Sequence, residues 1–298
     1  MKVCGMDIRV EGRLLRIARL DADGYQFVED PEPVLDGLRR SGIRSDLFTF
    51  MQKLPETSPK YHYPMEWDNF AALPISTFDY WWTRQISSVP RNRARQAAKR
   101  GVEIQEVPFN DALIQGIWEI YNECPVRQGK PFRHHGKDLE TVRREAATYL
   151  DSSVFIGAFL GEKLIGFVKL TSDQNRTQAG VMNILSMVQH RDKAPTNALV
   201  AQAVRSCAER GIPYLVYCSF AYGKKQRDSL SAFKERNGFH RIDVPRYYVP
   251  LSVTGQVALR LGLHKRFVDR IPEPILARLR EMRNGWYNRN LQSVTGTS

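Results

Sequence analysis

The chain has 298 residues, 42% hydrophobic and 26% charged, an ordinary globular composition with room for one large domain or two modest ones. No apolar run reaches the length of a membrane span, the opening Met1 to Arg9 lacks a secretory h-region, and Cys4, Cys124, Cys207 and Cys218 form no Cys-x-x-Cys pair; a cytoplasmic protein with reduced thiols and neither zinc nor disulfide scaffold is expected. The formal charge of +12 favours an anionic partner (nucleic acid, a nucleotide-linked substrate, coenzyme A or an anionic leaflet), while no helix-turn-helix, zinc-finger or RNA-recognition signature is present.

In chain order, Met6 to Val10, a turn at Glu11-Gly12 and Arg13 to Leu20 predict a hairpin. Asp21 to Gly24 predicts a second turn and Tyr25 to Val28 a third strand. A short helix is expected over Pro33 to Arg40, closed by Ser41-Gly42. Phe48 to Pro74, rich in Pro, Tyr, Met and Trp without clean periodicity, predicts an irregular packed segment. The aromatics Phe78, Tyr80, Trp81 and Trp82 predict a core anchor.

Arg91 to Arg100 is a basic helix stopped by Gly101, and Val102 to Val107 alternates as a strand does. Leu113, Ile114, Ile117, Trp118 and Ile120 give Asp111 to Glu123 helical spacing. A polar loop, Pro125 to Gly136, precedes a second helix over Leu139 to Leu150. Ser153 to Leu160 and Lys163 to Thr171 predict a hairpin across Gly161-Glu162, followed by a strand over Ala179 to Val188. A helix over Asn197 to Arg210, closed by Gly211, leads to a strand over Tyr214 to Phe220.

Ser229 to Phe239 predicts a short helix. Asp228 or Ser229 caps its start, Leu230 and Phe233 are apolar, and Gly238 takes the left-handed position after its end. A strand follows over His240 to Leu251. Beyond it, Val257 to Leu263, Lys265 to Ile271 and Pro274 to Asn284 predict short basic amphipathic helices, and Asn288 to Ser298 a frayed end. Such a tail either packs on its own domain or lies on anionic lipid.

The order β–α–α–β–β–β–α–β–α–β over Val102 to Leu251, closing on strand–helix–Gly-Phe–strand, resembles the GNAT acyltransferase fold. Lys234 stands where that family usually has a tyrosine, and Phe233-Lys234 ahead of the glycine is closer to its FemAB branch. The expected fold is therefore α/β (α+β): a GNAT-type domain with a mixed central sheet over 91–251, a β-rich N-terminal extension over 1–90 and a basic helical tail over 252–298.

The resemblance implies an N-acyltransferase, such as an N-acetyltransferase, or an aminoacyltransferase acting on an amine acceptor without a metal. In GNAT enzymes a glycine-rich loop before a helix cradles the pyrophosphate of acyl-CoA. The corresponding stretch here is Gln189 to Asn197: Arg191 fits, but Ala194 and Thr196 replace glycines and Pro195 removes a donor. Arg191, Lys193, Thr196 and Asn197, with Asn197 as helix cap, are the candidate donor-binding residues. The donor is then acetyl-CoA or another acyl-CoA, or the aminoacyl-tRNA typical of FemAB enzymes, whose equivalent loop also lacks the glycines.

Lys234 is the candidate for stabilising charge on the reacting carbonyl, with a solvated lysine as the plain alternative. The loop from Cys124 to Gly136 carries Arg127, Lys130 and Arg133 as candidate acceptor-binding residues, with His134 and His135 as candidate bases. Tyr222 is a further candidate ligand contact, and the basic helix a candidate track for a phosphate backbone. Readings from other classes are a non-catalytic relative that binds a nucleotide-sugar, RNA or protein partner, and a peripheral membrane protein of envelope or exopolysaccharide assembly.

Overall fold

The computed structural model describes residues 1–127, 129–220, 229–265, 278 and 282. In chain order the strands and helices are β1 (Lys2–Val3), β2 (Met6–Glu11), β3 (Ile17–Leu20), α1 (Pro31–Arg40), β4 (Leu47–Met51), β5 (Met65–Pro74), α2 (Phe78–Tyr80), α3 (Ser88–Lys99), β6 (Val102–Val107) and α4 (Asp111–Asn122). Then come β7 (Val126–Arg127), β8 (Lys130–Pro131), α5 (Leu139–Ala146), β9 (Ser153–Leu160), β10 (Lys163–Ser172), β11 (Ala179–Ser186), α6 (Pro195–Glu209), β12 (Tyr214–Val216), α7 (Ser229–Arg236), β13 (His240–Pro250) and α8 (Val253–Arg260).

The chain forms two compact units. The first comprises Met1–Ser87, Leu170–Met182 and Val204–Arg266; the second comprises Ser88–Lys169 and Asn183–Ala203. Residues up to Ser87 share a unit with β12, α7 and β13, and the chain passes between units within β10 and β11.

In the first unit the strand order is β1-β2-β3-β4-β13-β5-β12. β13 is the centre: Arg246 to Pro250 pair antiparallel with β4, and His240 to Tyr247 pair antiparallel with β5. β12 is antiparallel to β5 and parallel to the start of β11. Phe48, Phe50, Tyr247 and Val249 are buried with Val34, Leu35 and Leu38 of α1, whose start is capped by Asp30 accepting from the Glu32 N–H.

Three expectations are corrected here. Phe48 to Pro74 is not irregular; it holds most of β4 and all of β5. β4 is buried at all five positions, so it shows none of the alternation that marks a half-exposed strand. Tyr25 to Val28 is not a strand: Tyr25 packs its ring where a Cβ on Gly180 would sit and donates its hydroxyl to the Val181 carbonyl at 3.3 Å. The tail helix begins at Val253, ahead of the expected Val257, because Ser252 caps it through the Gly255 N–H at 3.1 Å. Of the further tail helices only Lys265, Arg278 and Met282 are described; the rest, with Asp228 and Tyr222, lies outside the described residues. Of the expected aromatic anchor, Trp81 is fully buried, with its indole N–H on the Asn237 carbonyl at 2.9 Å, whereas Tyr80 is 52% exposed.

In the second unit the order is β6-β9-β10-β11, with β6 and β9 antiparallel from Val102↔Leu160 to Val107↔Phe155. α3 buries Pro90, Ala94 and Ala97 and turns Arg93, Arg95 and Lys99 to solvent, followed by exposed Arg100. α4 starts at an Asn110 cap and buries Leu113, Ile114, Ile117, Ile120 and Tyr121. Gly116 in α4 lies so close to Leu164 that an added Cβ would stand 2.6 Å from its side chain; only glycine permits this approach.

Candidate functional site

In the second unit, candidate residues gather around the end of β11 and the start of α6. Glu123 follows the last turn of α4. Its carboxylate accepts the backbone N–H of Val188 at 2.7 Å and of Gln189 at 2.9 Å, one oxygen each. Arg127 donates to the same carboxylate at 3.2 Å, to the Ser186 carbonyl at 2.9 Å and to the Ile120 carbonyl at 2.6 Å. Its guanidinium also lies 4.4 Å from the centre of the Phe132 ring. Both partners are about one-eighth exposed, each at 12%. Arg127 therefore ties the end of β11 to α4, so most of its donors are already engaged within the fold.

The loop that follows departs from the expected geometry in one respect. α6 begins at Pro195, where the missing N–H costs no helical bond, so Asn197 lies inside the first turn and does not cap it. Its N–H goes to the Ala194 carbonyl at 3.2 Å. Ala194 takes the left-handed conformation at φ 54°, which glycine adopts without strain. Thr196 shares a 2.9 Å hydroxyl contact with Ser186. Arg191 is exposed, whereas Lys193 lies 3.4 Å from Asp192, which also attracts Arg100 at 3.7 Å.

His134 is buried against Tyr121, with ring centres 4.4 Å apart. Arg133 donates to its Nε2 at 3.0 Å, and the Lys137 ammonium stands 3.1 Å from its Nδ1. Burial first, then these two cations, lowers its pKa to about 4. At neutral pH it is an uncharged and weak base, which does not suit proton abstraction. His135 and Lys130 are exposed on the same loop.

In the first unit the notable group is Lys234. α7 ends in a Schellman motif, in which Gly238 at φ 88° donates to the Glu235 carbonyl and Phe239 to the Lys234 carbonyl at 3.0 Å. This turn holds Lys234 inward. The side chain is fully buried, its ammonium donates to the Ser219 carbonyl at 2.7 Å, and it sits 4.9 Å from the centre of the Tyr217 ring. The solvated-lysine alternative is thereby excluded. Burial pushes the Tyr217 phenol up to about 12, so a neutral ring faces the cation at physiological pH.

Two residues that the sequence reading passed over have chemistry of their own. Lys169 is buried and caps the end of α5 by donating to the carbonyls of Ala146, at 2.9 Å, and Thr148. Glu123 carried one faint signal, an acid four residues ahead of Arg127, but that spacing runs past the helix end. Among the described residues no group of three His, Cys, Asp or Glu side chains is arranged to hold a metal ion.

No protein-family model matches the chain, and no curated protein is significantly similar to it in sequence. Solved structures do match. L-PGS from Bacillus licheniformis is 13% identical with a TM-score of 0.54, covering 85% of this chain and 85% of its own. The C-terminal domain of a protein described as a lysylphosphatidylglycerol synthetase, from Agrobacterium fabrum, is 12% identical with a TM-score of 0.52, covering 85% of this chain and 83% of its own. FemX is 12% identical with a TM-score of 0.50, covering 79% of this chain and 72% of its own. At these identities the likeness is one of fold: the chain shares the mixed α/β fold of these three structures.

Proposed function

We propose that the protein is an aminoacyltransferase that moves an aminoacyl group from aminoacyl-tRNA to an amine acceptor. The observation that carries this reading is the burial of Lys234, a whole ammonium group held inside the fold on a backbone carbonyl. An ammonium held at a fixed place in the fold can stabilise the negative charge that develops on a carbonyl under attack. In the reaction the amine nitrogen bonds to the ester carbon, and the bond from that carbon to the tRNA ribose oxygen breaks. Lys234 stabilises the negative charge on oxygen, and the proton lost by the amine passes to the departing ribose oxygen.

The choice of donor rests on the loop after β11. The Val188 and Gln189 N–H groups are taken by the Glu123 carboxylate, an anion that would repel a pyrophosphate. The glycine-less turn at Ala194 also favours a donor other than acyl-CoA. The exposed cations of α3 suit a polyphosphate chain such as tRNA, with Arg191 and Lys193 as further donor contacts. Lys130, Arg133 and His135 remain candidates for the acceptor side, whereas His134 is given no role as base.

The test uses tRNA charged with labelled amino acids as donor and a panel of primary amines as acceptors, beside a calorimetric titration with acetyl-CoA. Wild-type protein should hold aminoacyl-tRNA and transfer label to at least one amine. Lys234→Met should bind the donor within about twofold and lose transfer by about a hundredfold or more, the scale of removing one electrostatic stabiliser. Saturable micromolar binding of acetyl-CoA, or full transfer by Lys234→Met, would overturn the proposal.

A further inference from the structure

α8 inverts the usual arrangement of an amphipathic helix, which buries its large apolar side chains and exposes small or polar ones. Its buried residues are Gly255 and Ala258. Gly255 approaches the backbone so closely that a Cβ would stand 1.9 Å from the Asp46 carbonyl oxygen. Ser252 fixes the helix start from both sides, capping the Gly255 N–H and bonding the Asp46 carboxylate at 2.7 Å. The helix is thus seated firmly by its smallest residues.

Val253 and Val257 of the helix and Leu261 just past its end point outward, while Leu259 is half-buried. Val253 is 75% exposed, Val257 47% and Leu261 65%. They fall at i, i+4 and i+8, which is one ridge of the helix, and Leu263 adds a fourth exposed apolar side chain at 48%. Such a contiguous apolar ridge on a seated helix marks a contact surface.

The surrounding charge selects the partner. No acidic residue occurs between Leu251 and Val268. Arg260 stands beside the ridge, exposed and without an ion-pair partner among the described residues. Lys265 is partly neutralised by Glu66 at 2.9 Å, but the sequence goes on with Arg266 and Arg270. An apolar ridge with a basic flank fits an interfacial anchor. We propose that α8 is a docking helix for an anionic lipid surface, on which Val253, Val257 and Leu261 enter the headgroup region and Arg260 meets lipid phosphates. This holds independently of the reaction proposed above.

The test is co-sedimentation of the full-length protein with vesicles of phosphatidylcholine alone, or with about a third phosphatidylglycerol. Wild type should partition onto the anionic vesicles and much less onto the neutral ones. The triple variant Val253→Ser, Val257→Ser, Leu261→Ser, altered only at exposed positions, should keep the circular-dichroism spectrum of the wild type and bind about tenfold or more weakly. Arg260→Gln should reduce binding further at low salt than at high salt. Absence of wild-type binding, or unchanged binding by the triple variant, overturns the proposal. So does a wild-type dimer by light scattering that the triple variant converts to monomer, since the ridge is then an interface between copies.

Discussion

Removing the Glu123 carboxylate should loosen the end of β11 and cost a large share of the protein's stability. Glu123→Ala deletes three hydrogen bonds at once: Val188 N–H at 2.7 Å, Gln189 N–H at 2.9 Å and Arg127 at 3.2 Å. It also leaves Arg127, only 12% exposed, with two carbonyls and, among the described residues, no counter-charge. Breaking a buried pair by removing one partner costs about 3–5 kcal/mol, and this is the expected loss. Glu123→Gln keeps the shape and one accepting oxygen, so about 1–2 kcal/mol is expected from the lost charge-assisted bonds. Urea denaturation followed by circular dichroism measures both. Hydrogen exchange adds a local readout, since the Val188 and Gln189 amides should exchange faster in either variant. A Glu123→Ala protein within about 0.5 kcal/mol of wild type, with unchanged exchange at both amides, would refute the clamp.

Two pH dependences follow from buried bases. Burial lowers the Lys169 ammonium from its ordinary 10.5 to about 8, so between these values the unfolded chain holds a proton that the folded chain has shed. Stability relative to a Lys169→Met variant should therefore rise with pH from about 8 toward 10.5, and parallel curves would refute this. His134, lowered from 6.5 to about 4 chiefly by burial, acts in the same sense at lower pH. The wild type should lose more stability than His134→Phe as pH falls from 6.5 to 4, and equal losses in urea midpoint would refute this.

What could be read from the sequence was local. The hairpin from Ser153 to Ser172, the glycine stop after α3 and the Gly238 turn after α7 are set by neighbours in the chain, so period and turn residues announce them. The order of elements was enough to indicate the fold. β4 and β5 were hidden because their pairing partner, β13, lies far along the chain and because β4 is buried at every position. The start of α6 was misplaced because Asn197 looks like a cap, whereas Pro195 is already compatible with the first turn. At the site, residue types were visible but their surroundings were not. Nothing in Phe233-Lys234 states that the lysine is buried, and nothing near His134 shows cations at both ring nitrogens.

The central place of β13 has a consequence for synthesis. β4 and β5 are made early, yet their shared neighbour is among the last strands to leave the ribosome. At ordinary elongation rates the interval between Pro74 and His240 is roughly 10–30 s. During that time two apolar strand edges stand without the strand that joins them, and unpaired edges invite association with other chains. Nascent chains halted between β5 and β13 should therefore depend on chaperones more than chains released after Leu251.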